Sequence, residues 1–388
     1  MVLFGIDVLA KQHFAALQGK RVGLLTNPSA VNKDMLSTYQ VLVDAENVNL
    51  VALYGAEHGA FGRVEAGEHV EGMVDARTGI PVHSLYGKTY RPSPEMLTDI
   101  DVMVCDIQDI GLRYYTYLWT MTYVVEACGA ADIPVIILDR PNPLGANVAG
   151  RGLEGAISSL VGRYNVPIQH GMTVGEVLQM HNAIWNNTPA DLTIIACEGY
   201  QHQMIWADFE RPFIAPSPNM PHMLTVKQYA GACLIEGTNL SEGRGTTIPF
   251  QIAGAPYIDG RDLADALNQL DLADVRFRPH QFTPLMSKYA GEACEGVEVH
   301  MIGSNFDAIS TWLHVIHTVK DLYPEQFAWV DSYVENDYRP FDKLIGSELP
   351  RIMFDKGASV ANITQAWAAS VAKFIQQRQP YMIYESVS

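Results

Sequence analysis

Apolar, β-branched runs recur through the first half of the chain: RVGLLT at 21–26, VNLVALY at 48–54, IPVHSLY at 80–86, DVMVCDI at 101–107, IPVIILD at 133–139 and DLTIIAC at 191–197. Their hydrophobicity is continuous rather than alternating, the signature of strands buried on both faces. Between several of them lie segments of helical character, DMLSTYQVLVDAE, TYLWTMTYVVEACGAA and TVGEVLQMHNAIWNN. Strand-helix alternation of this kind predicts an α/β domain with a mainly parallel, Rossmann-like sheet covered by helices on both faces. Past residue 225 the pattern changes. LADALNQLD reads as a helix, VEVHMIG as a strand, and SNFDAISTWLHVIHTVKDLY and NITQAWAASVAKFIQQR as long amphipathic helices. We therefore expect a first domain over 1–225 and a smaller α+β domain over 226–388. The joining segments, FIAPSPNMPHM and IEGTNLSEGRGTTIPF, have the Pro, Gly, Asn and Ser content of ordered loops.

Composition agrees with this layout. A chain of 388 residues exceeds what one core usually serves, and 48% hydrophobic against 18% charged residues is a globular balance. The formal charge of −17 repels phosphate backbones, and no Lys/Arg cluster offsets it, which argues against nucleic acid and anionic membranes and in favour of a small ligand. No stretch reaches the length of a membrane span. Asp7 and Lys11 interrupt the N-terminal apolar run and no basic n-region precedes it, so we expect a cytoplasmic protein, or a secreted or periplasmic one if a leader has been removed. The five cysteines are scattered without CxxC spacing, as buried thiols would be.

Ligands of an open α/β sheet bind beyond the carboxyl ends of its strands. There the sequence places Asn27 after the first run, Glu57 and His58 after the second, Asp106 and Asp109 after DVMVC, and Asp139 with Arg140 and Asn142 after VIIL. Glu57 stands out. In YGAEHGAFG it is flanked by Gly55, Gly59 and Gly62, so a carboxylate fixed by the sheet can approach a ligand closely. Each of these residues has an equally ordinary structural reading: His58 as a satisfied histidine, and Asp106 and Asp109 as ion-pair partners of Arg113 within DIQDIGLRYYTYLW. SEGRGTT lacks the GK[ST] of a phosphate loop and suits a substrate-facing loop presenting Glu242 and Arg244. Neither a GxGxxG for a dinucleotide nor an HExxH for a metal occurs, and we expect no cofactor and no metal.

Several of these segments occur together and in order: VGLLTNPSAV, LYGAEHGAFG with EAGEHV, TGIPVHSLYG, RPSPEMLTDIDVMVCDIQDIGLRYYTY, ILDRPNPLG, PSPNMP and EGTNLSEGRGTTIPF, then FRPHQFTPLMSKYAGEACEGVEVHMI. In these the chain resembles the exo-β-N-acetylmuramidase family of peptidoglycan hexosaminidases, the NamZ-like proteins. The resemblance implies a Rossmann-like domain and a smaller C-terminal domain with the active site in a cleft between them. It implies release of terminal N-acetylmuramic acid (MurNAc) from the non-reducing end of peptidoglycan fragments, the partner being a small muropeptide or disaccharide. The family's EHG glutamate falls on Glu57, expected as general acid, with Asp106 or Asp109 as second carboxylate or a substrate acetamido group in its place. Asn27, His58, Arg113, Tyr115, Asp139, Asn219, Glu242 and Arg244 are the expected substrate contacts. Extracytoplasmic members carry a signal peptide, so the resemblance is also compatible with recycling of imported muropeptides.

Overall fold

In a computed structural model, residues 1–62, 73–334 and 337–385 are described. The motif EAGEHV, at 65–70, lies outside them. The chain divides into two compact units, one formed by 1–147, 170–221 and 375–388, the other by 148–169 and 222–374.

The first unit holds a seven-stranded sheet. Its strands are β1 (Arg21–Thr26), β2 (Asn49–Gly55), β3 (Met73–Val74), β4 (Pro81–Ser84), β5 (Val102–Asp106), β6 (Val135–Leu138) and β7 (Leu192–Ile195), in the order β3-β4-β2-β1-β5-β6-β7. All neighbours run parallel except the short edge strand β3. The six parallel strands have the doubly wound order, and chain direction across the sheet reverses between β1 and β5. Thr26 at the end of β1 pairs with Asp106 at the end of β5. β5 and β6 are buried at every position, as their apolar runs Val102–Cys105 and Val135–Leu138 require, and Asp106 at the end of β5 is buried with them. Leu24, Leu53, Val104 and Ile136 form the core, with Ile6 and Leu9 of the helix Gly5–Lys11 packed on it. The helices Thr38–Val43, Thr116–Ala130 and Val174–Ile184 occupy the predicted stretches. The last starts from a capping box in which Thr173 and Glu176 satisfy each other's backbone N–H.

The second unit contains an antiparallel sheet of order β8-β10-β9, formed by β8 (Ile252–Ala255), β9 (Val275–Phe282) and β10 (Cys294–Met301). β9 carries Pro279 and lies at the edge, where a missing N–H breaks no central ladder. The helix Ala308–Leu322, capped by Asp307, buries Trp312, Leu313, Val315, Ile316 and Val319 at helical spacing. Trp312 donates to Gln228 of the helix Met223–Ala232 at 2.9 Å. The segment read as one helix over 362–378 is two, Val360–Gln365 and Ala368–Arg378. All five cysteines are buried and free. Among the described residues no helix is long and apolar enough to cross a membrane.

Candidate functional site

The turn after β2 explains the glycines around Glu57. A side chain at Gly55 would put Cβ 2.4 Å from the Ala60 nitrogen, so only glycine lets the chain fold back so tightly. His58 and Gly59 follow in left-handed conformation, φ 69° and 76°. For a histidine this costs on the order of 1 kcal/mol, and such strain persists where surrounding structure fixes it. Glu57 is thereby left half-buried at the carboxyl edge of the sheet, while His58 is buried.

Two neighbours lie at the Glu57 carboxylate. Thr116, the first residue of the helix Thr116–Ala130, donates from Oγ1 to Oε2 at 2.7 Å. Tyr86, just beyond β4, lies close enough for its phenol to sense the charge of the same carboxylate. Burial, and then the charge of Glu57, raise the Tyr86 phenol above its ordinary value, so it remains a protonated donor. The Thr116–Ala130 helix also directs its positive end at this corner, which favours negative charge there. Tyr115 and Tyr117 are buried beside it, both raised first by burial and both sensing Glu57. Tyr117 meets the loop of the PSPNMP motif, donating to the Pro216 carbonyl at 2.6 Å. Asn27 donates to the same carbonyl at 3.4 Å and accepts from Ser29 at 2.6 Å. Asn219 sits half-buried on that loop.

The other carboxylates at this edge differ in how they are engaged. Asp106 is fully buried and paired with Arg140, whose Nη2 donates at 3.0 Å, and with the Thr38 hydroxyl. Arg140 also donates to the Val31 carbonyl, tying the segment after β1 to the ends of β5 and β6. Asp139 accepts from the Tyr384 hydroxyl (2.6 Å), Thr173 hydroxyl (2.7 Å), Gly175 N–H (2.8 Å) and Arg140 N–H (3.0 Å). Asp109 accepts from Gly111 N–H at 2.7 Å through one oxygen, and its other oxygen has no hydrogen-bond partner among the described residues. His170 Nε2 is 3.8 Å from the oxygen that accepts from Gly111, beyond hydrogen-bond reach. Arg113 is wholly buried.

Burial pushes the Asp139 carboxyl from 3.8 to about 6, although Tyr384 and Thr173 oppose the shift. The folded state thus holds this proton more tightly than the unfolded chain. Its stabilising effect is complete below the unfolded value and is lost as pH rises through about 6. Relative to Asp139→Asn, the wild type should lose up to about 3 kcal/mol between about pH 4 and pH 7. Urea unfolding of both proteins at the two pH values measures this; a pH-independent difference would refute it.

In the second unit, Glu242 and Arg244 belong to a compact charge cluster. Arg244 donates to Glu236 at 2.6 Å and lies 3.3 Å from Glu242, whose other oxygen makes an ion pair with Lys288 at 3.1 Å. Glu242 is buried, whereas the Arg244 side chain keeps 21% of its surface exposed. Two carboxylates and two cations make the cluster neutral.

Sequence reasoning missed Tyr86, Thr116 and His170. Tyr86 obeys the strand-end rule that found Glu57, applied to β4. Thr116 and His170 carry no comparable mark. Among the described residues no group of three or more His, Cys, Asp or Glu side chains is arranged to hold a metal ion.

Comparison with known proteins supplies the context for this geometry. Residues 22–224 match the family model described as exo-β-N-acetylmuramidase NamZ, N-terminal, and residues 228–384 its C-terminal counterpart. The chain is 43% identical over 382 residues to the peptidoglycan β-N-acetylmuramidase NamZ of Bacillus subtilis (strain 168), covering 98% of this chain and 91% of that protein. Two crystal structures of DUF1343 family proteins from Bacteroides fragilis NCTC 9343 are also similar. One is 38% identical with a TM-score of 0.91, covering 99% of both chains. The other is 31% identical with a TM-score of 0.77, covering 100% of both. Both halves of the chain match the paired family models, and so the chain belongs to the exo-β-N-acetylmuramidase NamZ family.

Proposed function

We propose that this protein is a glycosidase that releases MurNAc from the non-reducing end of peptidoglycan fragments, cleaving the MurNAc-β-1,4-GlcNAc bond (GlcNAc, N-acetylglucosamine). The observation that carries this reading is the Glu57 carboxyl group, half-buried at a sheet edge, held by Thr116 and lying beside Tyr86, in a chain of this family. Glu57 acts as general acid: its proton passes to the glycosidic oxygen as the bond to the anomeric carbon breaks, and it then accepts a proton from the incoming water. Asp109 is the second carboxylate of our reading, because one of its oxygens is uncommitted, whereas both Asp106 oxygens are taken by Arg140 and Thr38. Asp106 and Asp139 then act as anchors of the loops. Asn27, His58, Tyr115 and Asn219 shape the sugar site, and Glu242 holds Arg244.

Purified protein incubated with MurNAc-GlcNAc should yield free MurNAc and GlcNAc by mass spectrometry. Binding of the disaccharide without cleavage would make the protein a muropeptide sensor and overturn the proposal.

The 3-O-lactyl carboxylate of MurNAc calls for a cation, and guanidinium groups suit carboxylates. Of the expected pair, Arg113 is wholly buried and Arg244 is partly exposed, so we assign lactyl recognition to Arg244. Arg244→Ala should raise KM for MurNAc-GlcNAc about 10-fold with little change in kcat. Equal losses on a GlcNAc-terminated substrate, which has no lactyl group, would remove the assignment.

A further inference from the structure

A row of three tyrosines runs outward from Glu57. Tyr86, whose phenol senses the Glu57 charge, meets Tyr90 edge-on at 5.7 Å between ring centroids and 71° between planes. Tyr90 in turn lies nearly parallel to Tyr123, at 6.4 Å and 23°. Tyr123 is half-buried on the helix that supplies Thr116, while Tyr90 keeps 37% of its surface exposed.

A single exposed aromatic residue needs no explanation. Here the exposed ring is also fixed in place. Thr89 closes the loop on itself, donating to the Arg91 carbonyl at 2.6 Å and accepting from the Arg91 N–H at 3.1 Å. Arg91 then donates to the Glu126 carbonyl on the Tyr123 helix at 3.3 Å. A rigid aromatic surface with hydroxyls at its rim suits a pyranose, whose C–H face packs on the ring and whose hydroxyls reach the phenol.

We infer that Tyr86 and Tyr90, backed by Tyr123, form a platform for the sugars on the leaving-group side of the scissile bond. This rests on the hydrolase reading above and extends it. In an exo-acting enzyme the terminal MurNAc has no further sugar to accommodate, whereas the remaining glycan must continue towards solvent. The row begins beside the residue that protonates the leaving oxygen and reaches an exposed ring at Tyr90, which is the course this remainder has to take. Tyr90 thus selects for chain length, and its contribution appears only with substrates that extend past the first leaving sugar.

The test compares an aryl β-MurNAc glycoside, MurNAc-GlcNAc and the tetrasaccharide (MurNAc-GlcNAc)2, using wild type, Tyr90→Ala and Tyr90→Phe. For Tyr90→Ala, the ratio of kcat/KM between tetrasaccharide and aryl glycoside should fall about 10-fold, mostly through KM, and Tyr90→Phe should restore most of it. A loss equal on all three substrates, or no loss, overturns the platform. If the wild type cleaves none of them, the hydrolase reading fails instead. The platform is then judged by calorimetry of tetrasaccharide binding, where equal affinity of wild type and Tyr90→Ala would reject it.

Discussion

Replacing Glu57 with glutamine should lower kcat for MurNAc-GlcNAc by about 10²- to 10⁴-fold, the range expected for loss of a general acid. Glutamine retains an oxygen that accepts from Thr116 and matches the carboxyl in size, so the melting temperature should stay near that of the wild type. Substrate affinity should survive as well, since the proton matters in the transition state rather than in the bound ground state. The natural disaccharide is the decisive substrate. An aryl glycoside has a better leaving group that needs less protonation, so its rate should fall less. Near-normal turnover of the disaccharide by Glu57→Gln would end the assignment.

The largest effect on stability should come from the ion pair at the reversal point of the sheet. Asp106 and Arg140 are both almost wholly inaccessible, and Arg140 engages both carboxylate oxygens. Arg140→Ala would leave a buried carboxylate without its partner, a loss of about 3–5 kcal/mol. For a domain of this size that corresponds to a fall of about 6–20 °C in melting temperature. Asp106→Ala should cost a similar amount. The double variant should cost clearly less than the sum of the two, because the residues share one interaction. Additive losses in thermal unfolding would show that the pair is not coupled.

Much of the sheet was legible because a strand buried on both faces must be largely apolar, as β6 is throughout and β5 is up to Cys105. β9 was missed for the opposite reason. As an edge strand with Pro279 and alternating exposure, its VRFRPHQF resembles loop more than core. Glu57 could be found from the sequence because the glycines that permit its turn lie beside it. How its carboxylate is flanked could not, since Tyr86 and Thr116 come 29 and 59 residues later and meet it only through the order of the strands. The same limit applies to Asp106, Asp109 and Asp139. All three are aspartates at strand ends, yet one pairs with arginine, one keeps an unengaged oxygen and one gathers four donors.

The segment after residue 374 belongs to the first unit, although the second unit precedes it in the chain. Arg378 donates to the carbonyls of His170 and Gly171, the Ile383 N–H to Glu176, and the Tyr384 hydroxyl to Asp139. On the ribosome, β1 to β7 emerge well before these residues are made. Domains usually fold as their sequences are synthesised, at about 5–20 residues per second. Here Asp139 and Glu176 must wait, short of hydrogen-bond donors, for the roughly 160 residues between Pro221 and Tyr384, a delay on the order of 10–30 seconds at that rate. The first unit is begun early in translation but can be completed only after the second unit has been made.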